Sequence, residues 1–206
     1  MTYDLYKMLK TIIKVSNINN LSDARYCAGM GVEMLGFSMD ELSFEKFKEM
    51  RGWLAGVKIV GETASQDMLK IIELDDIYQP DYLQVSDFQN IVEIQKIGKP
   101  IILKVDFATA NLPSIFQTTK GSVAYFLIEN SDDFGIIDEG VLSQLDAWSF
   151  QYPLILGFGV KESNANDLLE QTQLSGFALQ GGNEIRPGFG DSEELMNILE
   201  ILETED

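Results

Sequence analysis

Short apolar runs alternate with amphipathic stretches along most of the chain. Runs rich in Ile, Val and Leu lie near 11–16, 33–38, 56–60, 81–85, 100–105, 122–128, 153–157 and 175–179. They are continuous rather than alternating, as expected of parallel strands buried on both faces. Amphipathic stretches lie between and after them, near 21–30, 43–54, 65–74, 88–97, 109–118, 137–147, 163–171 and 191–203. Several carry helix-start signals: Thr63 precedes Gln66 by three, Ser86 precedes Gln89 by three, and Asp191 precedes Glu194 by three. The first two read as capping boxes and the third as an acidic analogue. Eight strand–helix units of roughly 20–30 residues each predict a closed (β/α)8 (TIM) barrel as a single domain. An open doubly wound sheet is the alternative. The barrel is expected over 11–206, preceded by a short N-terminal extension over 1–10, "MTYDLYKMLK".

Composition narrows the classes of function. A chain of 206 residues, 45% of them hydrophobic, can bury a full core. No apolar run is long enough to span a bilayer, and the N-terminal stretch lacks the apolar segment of a secretory signal. The formal net charge of −18 repels phosphate backbones and anionic membrane surfaces, so neither nucleic acid nor a membrane is an expected partner. The single cysteine, Cys27, cannot form an internal disulfide and suits a cytoplasmic, reducing compartment. The chain has no histidine. The usual general base, the usual metal ligand and any Ser-His-Asp triad are therefore excluded, and acid–base chemistry falls to carboxylates, lysine, tyrosine or cysteine.

In a (β/α)8 barrel, chemistry sits at the C-terminal ends of the strands. Ser16 and Asn17, Ser38 and Asp40, Glu62, Ser86 and Asp87, Asp106, Glu129 and Asn130 all fall there. Thr63 and Ser86 also serve as N-caps in this reading, Asp40 as a solvated loop carboxylate, and Cys27 as a small apolar residue inside the first helix. "PLILGFGVKESN" and "GFALQGGNEIRPGFGDSEEL" place glycines directly after strands seven and eight. Backbone N–H groups at Gly157, Gly159, Gly181 and Gly182, with Arg186 nearby, form a candidate phosphate site. The bland alternative is that these glycines only make tight turns.

These segments resemble the phosphoribosylanthranilate isomerase family of the tryptophan pathway. "KVSNINNLSDARYCAGMGVEMLGF" is similar to its first strand, first helix and second strand. "PDYLQVSD", "YFLIEN" and "PLILGFGV" are similar to strands four, six and seven, and "ALQGGNEIRPGFGD" to the last loop. The resemblance implies an Amadori rearrangement of N-(5′-phosphoribosyl)anthranilate without cofactor or metal. The expected assembly is a monomer or a homodimer. It implies a general acid at Glu129, where the family has aspartate. It implies a base at Ser16, where the family has cysteine followed by glycine, or at a neighbouring carboxylate such as Asp106. The family's arginine after strand two has no counterpart in "SMDELSFEKF". Its histidine-glycine after strand four becomes Ser86-Asp87, and its Gly-Thr-Gly loop after strand six is absent from "NSDDFGIIDEG". Phe158 replaces a loop glycine, and Gln180-Gly181-Gly182 replaces Ser-Ser-Gly. The alternative is a catalytically silent barrel that binds a phosphorylated metabolite or a protein partner.

Overall fold

The computed structural model describes residues 8–131, 136–181, 183–186, 189–191 and 193–204. Eight parallel strands close into a barrel in sequence order: β1 (Ile12–Ser16), β2 (Met34–Ser38), β3 (Lys58–Glu62), β4 (Tyr82–Val85), β5 (Ile101–Asp106), β6 (Tyr125–Glu129), β7 (Leu154–Leu156) and β8 (Gly176–Gln180). β8 pairs with β1 and completes the ring, Ser16 lying opposite Gln180. The (β/α)8 expectation holds, and the open sheet is excluded. Helices follow the strands: α1 (Leu21–Gly29), α2 (Phe44–Arg51), α3 (Met68–Tyr78), α4 (Ile91–Ile94), α5 (Leu112–Thr119), α6 (Glu139–Ser149), α7 (Ala165–Gln171) and α8 (Glu193–Ile201).

Strand alternation sorts the core into two compartments. Met34, Val60, Ile102, Leu127, Ile155 and Ala178 point inward and fill the barrel. The outward set, including Ile13, Val15, Phe37 and Phe126, packs beneath the helices. Phe116 of α5 meets Phe126 of β6 at a ring separation of 4.7 Å. Each such side chain contributes about 1.5–3 kcal/mol by leaving water. Of the expected extension, residues 8–10 join the far end of the chain. Leu9 bridges Glu203, and the Thr204 N–H donates to the Met8 carbonyl at 2.9 Å.

The helix starts depart from the sequence reading. α1 is capped by Asn20, which accepts from the Asp23 N–H at 2.9 Å and donates to its carboxylate at 2.9 Å. α3 is capped by Asp67 rather than Thr63. Thr63 is drawn instead toward the Asp40 carboxylate, to which its hydroxyl donates at 3.0 Å. Ser86 does not cap α4, which begins after Asn90; the Asp87 carboxylate takes the N–H groups of Gln89 and Asn90. α4 is one turn followed by a 3-10 turn over Gln95–Ile97, shorter than expected. Asp191 lies in a hairpin that sequence periodicity did not reveal: β9 (Asn183–Arg186) pairs antiparallel with β10 (Phe189–Asp191) between β8 and α8. Cys27 is buried in α1, where burial and then the Asp23 charge push its thiol up to about 12, the state of an inert thiol.

Candidate active site

The C-terminal ends of the strands surround a cavity of about 360 Å³, lined among others by Ser16, Glu62, Gln84, Lys104, Glu129 and Gln180. Its β1 side is built by alternation. Ile13 and Val15 face the helices, so Lys14 and Ser16 face inward. Lys14 is fully buried. Its ammonium donates to Ser16 Oγ at 2.5 Å and pairs with Glu62 Oε1 from β3. The second carboxylate oxygen, Oε2, accepts the Asn17 N–H at 3.1 Å. Asn17 turns that N–H inward by adopting φ +55°, a left-handed conformation asparagine tolerates better than most residues. Gly36 of β2 lies between the partners. A Cβ there would stand 2.1 Å from Glu62 Oε1 and 2.9 Å from Lys14 Nζ, so the missing side chain is what lets the pair form across β2.

On the opposite side, Glu129 at the end of β6 pairs with Lys104 of β5 at 3.3 Å. Both side chains keep part of their surface open, 31% and 38% respectively. Two other rim carboxylates are structural braces. Asp106 accepts the Ala108 N–H at 2.8 Å, the Ser131 N–H at 3.1 Å and the Ser131 hydroxyl. Burial would raise its pKa, but these bonds outweigh it and hold the carboxyl below its usual range. Asp40 is exposed, as expected of a solvated loop carboxylate, but its oxygens are engaged. It binds the Thr63 hydroxyl, the Ala64 N–H at 2.8 Å and Lys70 at 3.2 Å, which together overcome burial and lower its pKa. The Gln84 amide oxygen is buried with no hydrogen-bond partner among the described residues.

The glycine loops are less free than their sequence implies. The Gly157 N–H donates to the Ile128 carbonyl and the Gly181 N–H to the Ser16 carbonyl, each at 2.8 Å, so both serve the barrel wall. Gly159 adopts φ +67°, and its carbonyl accepts from the Asn164 side chain at 2.8 Å. Its N–H has no partner among the described residues. A cavity of about 270 Å³ lies against Gly157, Gly159 and Gly181, with Glu194 of α8 on its wall. Phe158 leans its ring on Phe107, centroids 5.5 Å apart. Gly182 lies outside the described residues. Arg186 is placed only as a member of β9. A further cavity of about 340 Å³ shares Ser86, Lys104 and Glu129 with the central one and adds the apolar surfaces of Phe88, Val105 and Ile115.

The structure therefore brings Ser16 and Glu129 to one rim, together with Gly157, Gly159 and Gly181. Sequence reasoning placed Glu62 at a strand end but assigned it no role, and it missed the Lys14–Glu62 pair. A lysine two residues before Ser16, on the same strand face, was the available signal.

No family profile matches the chain. It is 25% identical to N-(5′-phosphoribosyl)anthranilate isomerase of Parabacteroides distasonis over 207 residues, 93% of each chain. The phosphoribosyl anthranilate isomerase structure from Thermotoga maritima superposes with a TM-score of 0.77 at 18% identity, covering 92% of this chain and 97% of that one. Another such isomerase, solved in complex with reduced 1-(o-carboxyphenylamino)-1-deoxyribulose 5-phosphate, gives a TM-score of 0.73 at 17% identity, with coverage of 92% and 97%. This chain is a (β/α)8 barrel similar over more than nine-tenths of its length to phosphoribosylanthranilate isomerases.

Proposed function

We propose that the barrel isomerises a phosphorylated aminoaldose, N-(5′-phosphoribosyl)anthranilate, to the corresponding aminoketose. One observation carries the reading: the strand-one and strand-six ends present Ser16 and Glu129 to one cavity, in a chain similar over more than nine-tenths of its length to an isomerase named for this substrate. Glu129 lines the cavity with part of its surface open, as a proton donor to a ligand must be. It would protonate the ring oxygen while the C1–O bond breaks and the nitrogen lone pair forms the C1=N iminium. Loss of the C2 proton then gives the enolamine, which tautomerises to the ketone. The sum is an isomerisation with no redox change, and no cofactor is called for.

Three lobes suit the three parts of this substrate. The central cavity would take the sugar, and the lobe with Phe88, Val105 and Ile115 the aryl ring. Lys104 lies at their junction and would face the carboxylate in place of the absent arginine. The lobe against Gly159 would take the phosphate; Gly182 and Arg186 are proposed as further phosphate ligands on the sequence alone. Gln180 lines both this lobe and the sugar cavity. We place the protein in the cytoplasm as a single domain over 11–206, with 1–10 preceding it.

The assay is loss of anthranilate-type fluorescence with purified protein at neutral pH. Turnover above the buffer rate is expected, and Glu129→Ala should lower it by about 10²–10⁴-fold. Complementation of a tryptophan auxotroph lacking this isomerase gives an independent reading. A chain that neither turns over the substrate nor rescues growth is not this isomerase.

A further inference from the structure

We infer that Glu62, and not Ser16, is the base that removes the C2 proton. This inference rests on the isomerase reading above. A base needs an accessible lone pair and an environment that accepts the proton. Ser16 Oγ already accepts from the buried Lys14 ammonium at 2.5 Å, and that cation opposes any further proton on the same oxygen. One lone pair of Ser16 Oγ remains, weakened by the neighbouring ammonium, and its O–H is a hydrogen-bond donor for a substrate hydroxyl or developing oxyanion.

The other rim carboxylates are engaged or misplaced. Both oxygens of Asp106 are taken by Ala108 and Ser131. Both oxygens of Asp40 are taken by Thr63, Ala64 and Lys70. Glu41 also borders the cavity, but from the exposed turn after β2, where no buried partner among the described residues fixes its carboxylate. Glu62 lines the central cavity with 12% of its side chain open, on a strand three places around the eight-stranded ring from β6 and Glu129. A ligand lying across the mouth would have an acid on one side and a base on the other. Glu62 Oε1 is fixed by Lys14, and Oε2 holds only the Asn17 N–H among the described residues. That oxygen has a lone pair to spare.

The step balances without a co-reactant. Glu62 takes the C2 proton, the C2–H electron pair becomes the C1=C2 bond, and the C1=N π pair returns to nitrogen. The carboxylic acid formed can return its proton to C1, and the C2 hydroxyl proton, released to solvent as the ketone forms, is matched by the one Glu129 takes back from solvent after protonating the ring oxygen. Lys14 is a positioning residue here: it fixes the carboxylate and balances its charge beneath the cavity.

The experiment compares wild type, Ser16→Ala, Glu62→Asp and Glu62→Gln for turnover, for deuterium uptake at C1 in D2O, and for binding of the reduced carboxyphenylamino-deoxyribulose phosphate. Glu62→Gln should lose about 10²–10⁴-fold in turnover while binding the analogue within a few-fold of wild type. Glu62→Asp should recover part of the loss, and Ser16→Ala should lose about tenfold or less, the scale of one hydrogen bond. Glu62→Gln leaves Lys14 buried without its counter-charge. The double variant Lys14→Met/Glu62→Gln removes that charge, and it should melt cooperatively and remain as slow as the single variant. A Glu62→Gln protein within threefold of wild type overturns the assignment, as does Ser16→Ala losing as much turnover as Glu62→Gln with analogue binding intact. A wild type without turnover overturns the isomerase reading itself, and the base assignment with it.

Discussion

At residue 36 the absence of a methyl group decides the site. Gly36→Ala would push a Cβ into Glu62 Oε1, so the pair must part or β2 must shift. We expect a loss of about 1–3 kcal/mol in chemical unfolding, the cost of overpacking, with turnover falling at least in parallel. Asp75 gives a prediction of opposite sign. Burial holds this carboxyl above its ordinary 3.8, its Oδ1 has no hydrogen-bond partner among the described residues, and Lys99 stands 4.0 Å away. A carboxyl raised on folding favours the folded state when protonated, and that contribution is lost as pH rises from 3.8 through the folded value. At neutral pH the charge is a cost. Asp75→Asn should raise the unfolding midpoint by the equivalent of about 1 kcal/mol at pH 7, with the gain disappearing below pH 3.8. Ser16 and Glu129 were legible from the sequence because strand ends are. The Lys14–Glu62 pair was not, because its partners are 48 residues apart and meet only once the sheet closes.

The strands and helices themselves were readable, since buried parallel strands make continuous apolar runs and helices show a 3.6-residue period. Their caps were not. A cap is a competition among nearby acceptors, and Asp40, reaching from the loop after β2, wins the Thr63 hydroxyl. Asp67, next to the first turn of α3, takes the Leu69 N–H at 2.9 Å instead. Asp67→Ala should therefore cost about 1 kcal/mol, or roughly 2–4 °C in melting temperature, whereas Thr63→Val should act mainly through the Asp40 brace. The β9–β10 hairpin escaped notice because its strands are four and three residues long, too short for a period to register.

The whole molecule carries a net charge of −18, and like charges at that density oppose compaction. Raising salt from about 10 to 300 mM shortens the screening length from roughly 30 Å to under 10 Å, so the melting temperature should rise by several degrees. No change in a calorimetric scan would mean that local ion pairs already cancel the repulsion. The ring is joined by β1–β8 pairing and, at its outer edge, by Leu9 with Glu203 and Met8 with Thr204. These contacts join the first and last parts of the sequence, so closure must wait for nearly the whole polypeptide. They also make the barrel a candidate for circular permutation. Residues 8 and 204 already share a backbone hydrogen bond, so a linker of a few glycines could join them, and new ends could open in an exposed turn such as the one at Gly98. Closure would then move to the β4–β5 seam, and the strands would still leave the ribosome in their order around the ring, with β5 first and β4 last.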